Sequence, residues 1–427
     1  MKRHREHMAF GVSLLAVTVA VLLNPGATTL TSDELEFVAP LVEVKRRLDA
    51  GYVERIAAEE TDRLQFGAAM GMTATLDQYT QYFPPADAED FQNSIDGVIV
   101  GIGVEIADRD EDGPSPVQVI APIEGGPAAA AGVLPGDLIL AVDGEDVRDD
   151  EITDLQRKIM GPEGTEVTIT FEHPDGSTVD TTITRARVTS PTVRGYERTN
   201  TGAWSDWIDL DAGIGFLRIT QFTPDTAKLF EQRLATLIRD DLDALVIDLR
   251  GNGGGLVDAA EDVLDVLLPP GAMLYSQGGA SSPRRSAFSQ REPLLDANIP
   301  IAVLIDGGTA SASEIMAGAL RDHRRAFLVG TRTFGKGSVQ VTSELPNGGV
   351  LKMTHAYYYL PSGRLVHRKP GEEQWGVDPD VEVIVPQEKI IELRRSFAPG
   401  DPQTEAAANA LRALLALPKP TPAGLTD

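Results

Sequence analysis

Two serines stand two residues apart in the run Thr309-Ala310-Ser311-Ala312-Ser313-Glu314, which follows an apolar strand ending at Ile305-Asp306. The residues beyond them include Ala312, Ala317, Gly318 and Ala319, a small-residue helix. A hydroxyl at a helix N-terminus feels the positive end of the dipole, and the free backbone N–H groups there can hold an oxyanion. That is a setting for acyl transfer. It is equally the setting of a capping serine, worth about 1 kcal/mol, so position alone separates neither nucleophile from cap nor Ser311 from Ser313. A serine nucleophile needs a base, and Phe334-Gly335-Lys336-Gly337 offers one. A lysine desolvated in a tight glycine-rich pocket can lose its proton near neutral pH. Arg250-Gly251-Asn252-Gly253-Gly254-Gly255 follows a strand and opens a helix, leaving N–H groups to face an anion, either a phosphate or a developing oxyanion.

Other chemistries find less support. The chain has no cysteine, which excludes a thiol nucleophile, cysteine-ligated zinc, iron–sulfur clusters and disulfides. Of the six histidines, His4 and His7 precede the first apolar run, and His173, His323, His355 and His367 sit in no strand-end glycine setting. No G-x-S-x-G elbow is present. Asp108 to Gly113 matches the first half of a calcium loop, but the twelfth position is Val119 rather than a bidentate glutamate. Gly330 to Lys336 matches G-x-x-x-x-G-K, yet Gly337 stands where a phosphate loop needs Ser or Thr. Leu256 replaces the last glycine of a dinucleotide fingerprint. No metal and no organic cofactor is expected.

The elements that must position these residues can be read coarsely. At 427 residues the chain is long enough for two to four domains. Lys2, Arg3 and Arg5 precede an apolar run from Met8 to Leu23, the pattern of an export signal or a short inside-positive anchor over residues 1–27. The net charge is −26, and −28 without the three basic residues and one acid of residues 1–23. Such a chain repels nucleic acid and anionic membrane surfaces. Membrane contact is expected only through the N-terminal segment, and the remainder lies outside the cytoplasm, in a periplasm or on the outer face of a cell membrane. Residues 31–96 read as a helical segment, with Pro40 a helix start or kink and Pro84-Pro85 a stop. Residues 97–188 read as short strands and turns with one helix at Asp150 to Met160. Residues 189–385 alternate strand and helix, the pattern of a partly parallel α/β sheet, with an antiparallel pair around Asn347-Gly348. Residues 386–427 carry two helical stretches split by Pro399-Gly400, then a Pro-rich tail.

Over about residues 35–385 the order of parts resembles the carboxyl-terminal processing (tail-specific) serine proteases. The motifs are LDQYTQYFPP, a PDZ-like stretch, DLRGNGGGL, TASASEIMAGALRD and GTRTFGKGSVQ. The resemblance implies Ser311 as nucleophile rather than Ser313, Lys336 as general base, and Gln340 orienting that lysine. It implies an oxyanion hole from Gly254 or Gly255 with Ala312, and a structural role for Asp322. It also implies an α/β, multidomain fold, with an α+β PDZ domain inserted, a crotonase-like protease core, and helical N- and C-terminal segments. Residues 97–188 resemble a PDZ domain, in which Ile102, Gly103 and Val104 of the Gly101 to Val104 loop would take a substrate's C-terminal carboxylate while the peptide adds as a strand. Many relatives carry arginine where this chain has Met160, so a coupling of PDZ domain to active site through that arginine is not expected here.

The expected activity is therefore that of an exported serine endopeptidase with a Ser-Lys(-Gln) site, acting on proteins or peptides with free C-termini. A homo-oligomer or an activating partner is compatible with the same reading. Two rivals stand against it: a non-proteolytic PDZ adaptor, opposed by the intact Ser311, Lys336 and Gln340, and a crotonase-type acyl-CoA enzyme, opposed by the export segment and the PDZ-like stretch.

Overall fold

Period-two alternation decides how the central sheet is built. Along Ala244–Asp248, Leu245 and Ile247 face one side and Ala244 and Val246 the other; along Ile301–Ile305, Ile301, Val303 and Ile305 oppose Ala302 and Leu304. Strands apolar on both faces need cover on both, which is the logic of a helix-flanked parallel sheet. The structure is a computed structural model that describes residues 30–106, 116–123, 125–199, 203–280, 282–386 and 400–417. The export-like run Met8 to Leu23 and the acidic run Asp108 to Gly113 lie outside the described residues, as does most of the first C-terminal helical stretch. No helix among the described residues is long and apolar enough to cross a membrane.

The chain divides into two units, one ending at Thr75 and one beginning at Leu76. The first holds helices α1 (Ser32–Gly51) and α2 (Ala58–Ala74). Thr31 caps α1, its Oγ1 accepting from Glu34 N–H while Glu34 accepts from Thr31 N–H. Pro40 lies inside α1 rather than opening it.

The second unit opens with strand β1 (Gln81–Phe83) and helix α3 (Pro85–Asp96). Pro84-Pro85 was expected as a stop. Pro85 instead occupies the first turn of a helix, where a missing N–H costs nothing and a fixed φ is already helical. A sheet of short strands follows, ordered Val104–Ile106, Val117–Pro122, Leu138–Val142, Glu166–Glu172, Thr178–Thr184, with Glu145–Asp146 paired to the third. Helix α4 (Ile152–Ile159) turns Leu155 and Ile159 into a core of Ile102, Val119, Ile139, Ile169 and Phe171. The buried Arg185 closes its C-terminus, donating to the carbonyls of Lys158 and Ile159 at 3.0 and 2.8 Å. Glu105 ties this part to the rest through Arg194 at 3.0 Å and Arg198 at 2.7 Å.

Beyond it, strands β2 (Ile214–Ile219), β3 (Ala244–Asp248), β6 (Ile301–Ile305) and β7 (Ala326–Gly330) run parallel in that order within a seven-stranded sheet. Helices α5 (Thr226–Arg239), α6 (Val257–Asp265) and α7 (Ala312–Asp322) contribute to the core on one face. Helix α8 (Pro402–Leu415) covers the other, placing Ala407 and Leu411 against Phe216, Val246 and Leu304. A second, antiparallel sheet joins β1, β4 (Met273–Gly279), β5 (Ser282–Phe288), β8 (Ser338–Glu344) and β9 (Val350–Tyr359). The hairpin of β4 and β5 has no apolar alternation in sequence. Its β5 strand is mostly exposed and owes its form to the ladder with β4, which in turn pairs with β9.

Candidate active site

Three loops leave the C-terminal ends of adjacent parallel strands β3, β6 and β7, the place where open α/β sheets gather ligand-binding groups. They carry the glycine run, the two serines and the lysine.

Ser311 sits at the N-cap of α7 with φ +58°, a positive value rare for a residue with a side chain. It is 8% exposed. Holding a non-glycine residue there costs about 1–3 kcal/mol, and the surroundings pin it from both sides. Its N–H donates to Glu314 Oε2 at 2.9 Å, and its carbonyl accepts from the Tyr358 hydroxyl at 3.1 Å. Its hydroxyl makes no capping bond. Ser313 differs: it is fully buried, and its hydroxyl donates to Asn252 O at 3.0 Å. That bond fastens α7 to the glycine run, so Ser313 is spent on structure.

Asn252 organises the glycine run. Its Nδ2 donates to Ile219 O and its Oδ1 accepts from Gly254 N–H, each at 2.9 Å. Gly254 has φ +104°, and a Cβ there would lie 2.7 Å from Ser311 Cβ. Only glycine lets the loop approach the serine this closely. Of the anticipated oxyanion donors, Gly254 N–H is thus already engaged, whereas Gly255 and Ala312 N–H have no acceptor among the described residues.

Lys336 is held by its backbone. Lys336 N–H donates to Glu314 Oε2 and Gly335 N–H to Glu314 Oε1, both at 2.8 Å. The flanking glycines are required by close approach: a Cβ on Gly335 would lie 2.6 Å from the Trp375 ring, and one on Gly337 2.3 Å from His367 N. The Lys336 amine lies 5.2 Å from the centre of the Tyr79 ring. Burial pushes its pKa below the usual lysine value, the nearby Lys352 adds to the depression, and Glu314 opposes it. The amine makes no hydrogen bond to Ser311 or Gln340 among the described residues. Gln340 Nε2 donates to Ser338 Oγ at 2.9 Å and Thr354 Oγ1 at 3.4 Å.

Glu314 received no role from sequence, although Ser311-x-x-Glu314 has the spacing of a capping box. Its buried carboxylate accepts from Ser311 N–H, Thr333 Oγ1, Gly335 N–H, Lys336 N–H and the Tyr358 hydroxyl. One side chain therefore fixes the backbone of the serine and of the lysine together. Burial raises its pKa, against the pull of these hydrogen bonds. Glu314→Gln puts an amide NH2 where one oxygen now accepts, leaving buried donors without a partner at about 1–3 kcal/mol each. The expected result is a clear fall in melting temperature together with a loss of turnover, read by thermal unfolding and peptide hydrolysis. Unchanged values for both would remove this role.

The other anticipated residues fall elsewhere. Asp322 ends α7 and accepts from Ser362 N–H at 2.9 Å. None of the four described histidines bonds to Ser311; His173 pairs with Asp137, His323 meets Met273 O, His355 meets Ser282, and His367 packs beside Tyr357 and Tyr79. Ile102 is buried in the core of the small domain, and its carbonyl accepts from Ala128 N–H at 2.8 Å. Any part it plays toward a ligand falls to its backbone. The Gly103 carbonyl accepts from Ile123 N–H at 2.9 Å, and Val104 pairs with Pro122. Met160 is half-exposed, its Cγ 3.8 Å from where a Gly101 Cβ would stand, beside this loop. No group of residues suited to hold a metal occurs among the described residues.

A serine at a strained helix start beside a glycine run, with a desolvated lysine on the neighbouring loop, has the makings of a serine-type peptidase. Comparison with known proteins agrees. The profile of peptidase family S41 matches residues 213–383, and that of the PDZ domain matches residues 118–172. A carboxy-terminal-processing protease of Bartonella bacilliformis is 32% identical over 377 residues, covering 87% of this chain and 81% of that protein. A probable CtpA-like serine protease of Staphylococcus aureus is 27% identical over 395 residues, covering 91% and 74%. The solved photosystem II D1 C-terminal processing protease is 28% identical, with a TM-score of 0.46, over 88% of this chain and 100% of that one. The chain belongs to the carboxy-terminal-processing proteases of peptidase family S41, and it is a serine-type peptidase with a PDZ domain.

Proposed function

We propose that this chain is an exported endopeptidase in which Ser311 is the nucleophile and neutral Lys336 its general base. The observation that carries the reading is the Glu314 carboxylate, which accepts from the N–H groups of both Ser311 and Lys336 through a single oxygen. Ser311 Oγ attacks the scissile carbonyl as its proton passes to Lys336 Nζ. The tetrahedral oxyanion is held by Ala312 N–H and a glycine-run N–H: Gly255, or Gly254 after exchanging its bond to Asn252. Lys336 then gives the proton to the leaving amine, the C–N bond breaks, and an acyl-enzyme remains. Water, losing a proton to the same lysine, attacks the ester; the lysine returns that proton to Ser311 Oγ as the C–O bond breaks, which releases the acid and restores the free serine. Gln340 orients the lysine. The three loops at the ends of parallel strands support a crotonase-like description of the core.

The Gly101 to Val104 loop captures the C-terminal carboxylate of a protein or peptide, which adds as a strand. Within this reading the chain comprises an export segment over 1–27, a helical segment over 31–96, a PDZ domain over 97–188, a protease domain over 189–385 and a C-terminal extension over 386–427. The basic-then-apolar N-terminus supports an extracytoplasmic location.

The test of tail capture is a pair of peptides with the same sequence, one ending in a free carboxylate and one in an amide. Hydrogen bonds to a charged group contribute about 1.5–3 kcal/mol, so the acid is expected to bind to the Ser311→Ala protein about 10- to 100-fold more tightly. Equal affinity, read by fluorescence anisotropy, would reject carboxylate capture.

A further inference from the structure

Gln340 and Thr354 face each other across the β8–β9 ladder, next to a register shift between Val339 and Gln340. Both N–H donors of the Gln340 amide have acceptors, Ser338 Oγ and Thr354 Oγ1. Thr354 in turn donates from Oγ1 to Asp77 Oδ1 at 3.2 Å. Asp77 lies before β1, in the LDQYTQYFPP segment, where it folds a tight turn: Oδ1 accepts from Tyr79 N–H at 2.7 Å and Thr80 N–H at 2.8 Å, and Oδ2 from Thr80 Oγ1 at 2.8 Å. Thr80 Oγ1 then accepts from Thr354 N–H at 3.1 Å, so the turn is bound to β9 at two points.

The direction of every proton in this chain follows from Asp77. Its hydrogen bonds hold the carboxyl below the usual carboxylate range against the burial that opposes them. An ionised carboxylate only accepts. The Thr354 hydroxyl must therefore give its proton to Asp77, and its oxygen accepts from Gln340. The amide of Gln340 can then lie only one way round, with Oε1 as the end left over. A neutral lysine that is to take a proton from Ser311 needs its lone pair free and its N–H groups pointed elsewhere, which an amide oxygen allows. The reversed amide would offer an N–H to that lone pair and compete with the serine.

We infer that Asp77 is a positioning residue for the hydrolytic site: through Thr354 it fixes the orientation of the Gln340 amide, and through its turn it sets the Tyr79 ring over the Lys336 amine. This rests on the proposed role of Lys336 as base and Gln340 as its orienting partner, and it extends that role 259 residues back along the chain, to the segment before the PDZ domain.

The test uses the full chain and steady-state hydrolysis of a fluorogenic peptide. Thr354→Val removes the bridging hydroxyl at nearly constant shape, while Thr354→Ser restores it. Loss of one oriented hydrogen bond is expected to lower kcat about tenfold in Thr354→Val, with KM unchanged and kcat returning in Thr354→Ser. Asp77→Asn, whose Oδ1 can still accept from Tyr79 N–H, Thr80 N–H and the Thr354 hydroxyl, is expected to keep most of kcat, while Asp77→Ala, which removes that acceptor, is expected to lower it at least as far as Thr354→Val. In a Gln340→Ala background, Thr354→Val should not lower kcat further. A Thr354→Val or Asp77→Ala protein with wild-type kcat overturns the inference, and so does an undiminished effect of Thr354→Val in the Gln340→Ala background. If Lys336→Ala keeps its activity, the mechanism itself has failed. If Lys336→Ala is inactive while Thr354→Val turns over normally, only the positioning chain has failed.

Discussion

Ser311→Ala is expected to abolish peptide hydrolysis, lowering kcat by about 10⁴-fold or more, the scale on which serine peptidases respond to loss of the nucleophile. The fold should survive. The Ser311 hydroxyl makes no capping bond, and the backbone contacts that pin the residue, to Glu314 and Tyr358, use its N–H and carbonyl. Alanine must still adopt φ +58°, so the backbone strain stays as it is. Ser313→Ala supplies the contrast. Its hydroxyl binds Asn252 O in a fully buried setting, so removing it should cost about 1 kcal/mol of stability and leave most of the turnover. Both variants are read by the same fluorogenic assay after thermal melts confirm folding. If Ser313→Ala is the inactive one, the nucleophile has been assigned to the wrong serine.

Lys336→Ala should match Ser311→Ala in effect under the proposed mechanism, since none of the described histidines bonds to the serine to serve in its place. The pH dependence carries a sharper expectation. The lysine acts as a base only when neutral. Burial penalises its charged form and lowers its pKa, and Lys352 pushes in the same direction. Activity should therefore rise with pH through an apparent pKa below the ordinary lysine value of about 10.4, and fall as acidification protonates the amine. Lys336→Arg should not rescue, since a guanidinium stays charged throughout this range. A rate that is flat through neutral and alkaline pH, or a Lys336→Arg protein with near-normal turnover, would rule out a neutral lysine base.

The export-like N-terminus, the acidic run and the C-terminal stretch before Gly400 were all legible as sequence patterns, while the described residues bear on other parts of the chain. Among those, the parallel strands were readable because each is a short run apolar on both faces, and the helices between them because their apolar period is helical. The hairpin of β4 and β5 was not, since Ser282 to Phe288 holds its form by pairing rather than by burying a face. The start of α3 at Pro85 was missed because the same dipeptide that ends one element begins the next.

At the site, residue chemistry was a local property and could be read locally. A serine at a helix start, a lysine between glycines and a glycine run after a strand announce themselves by type and spacing, and the family resemblance rests on those runs. What the linear chain could not express was which backbone donors converge on which acceptor. Glu314 looks like an ordinary third-position helix residue until Thr333, Gly335 and Lys336 from one loop and Tyr358 from a strand arrive to fill its lone pairs. Asp77 looks like a turn residue until Thr354, 277 positions away, donates to it. The amino-acid sequence by itself determined which groups could react. The tertiary structure decided how those groups are held, because a buried hydrogen-bonding group is defined by the partners folding brings to it, and these come from anywhere in the chain.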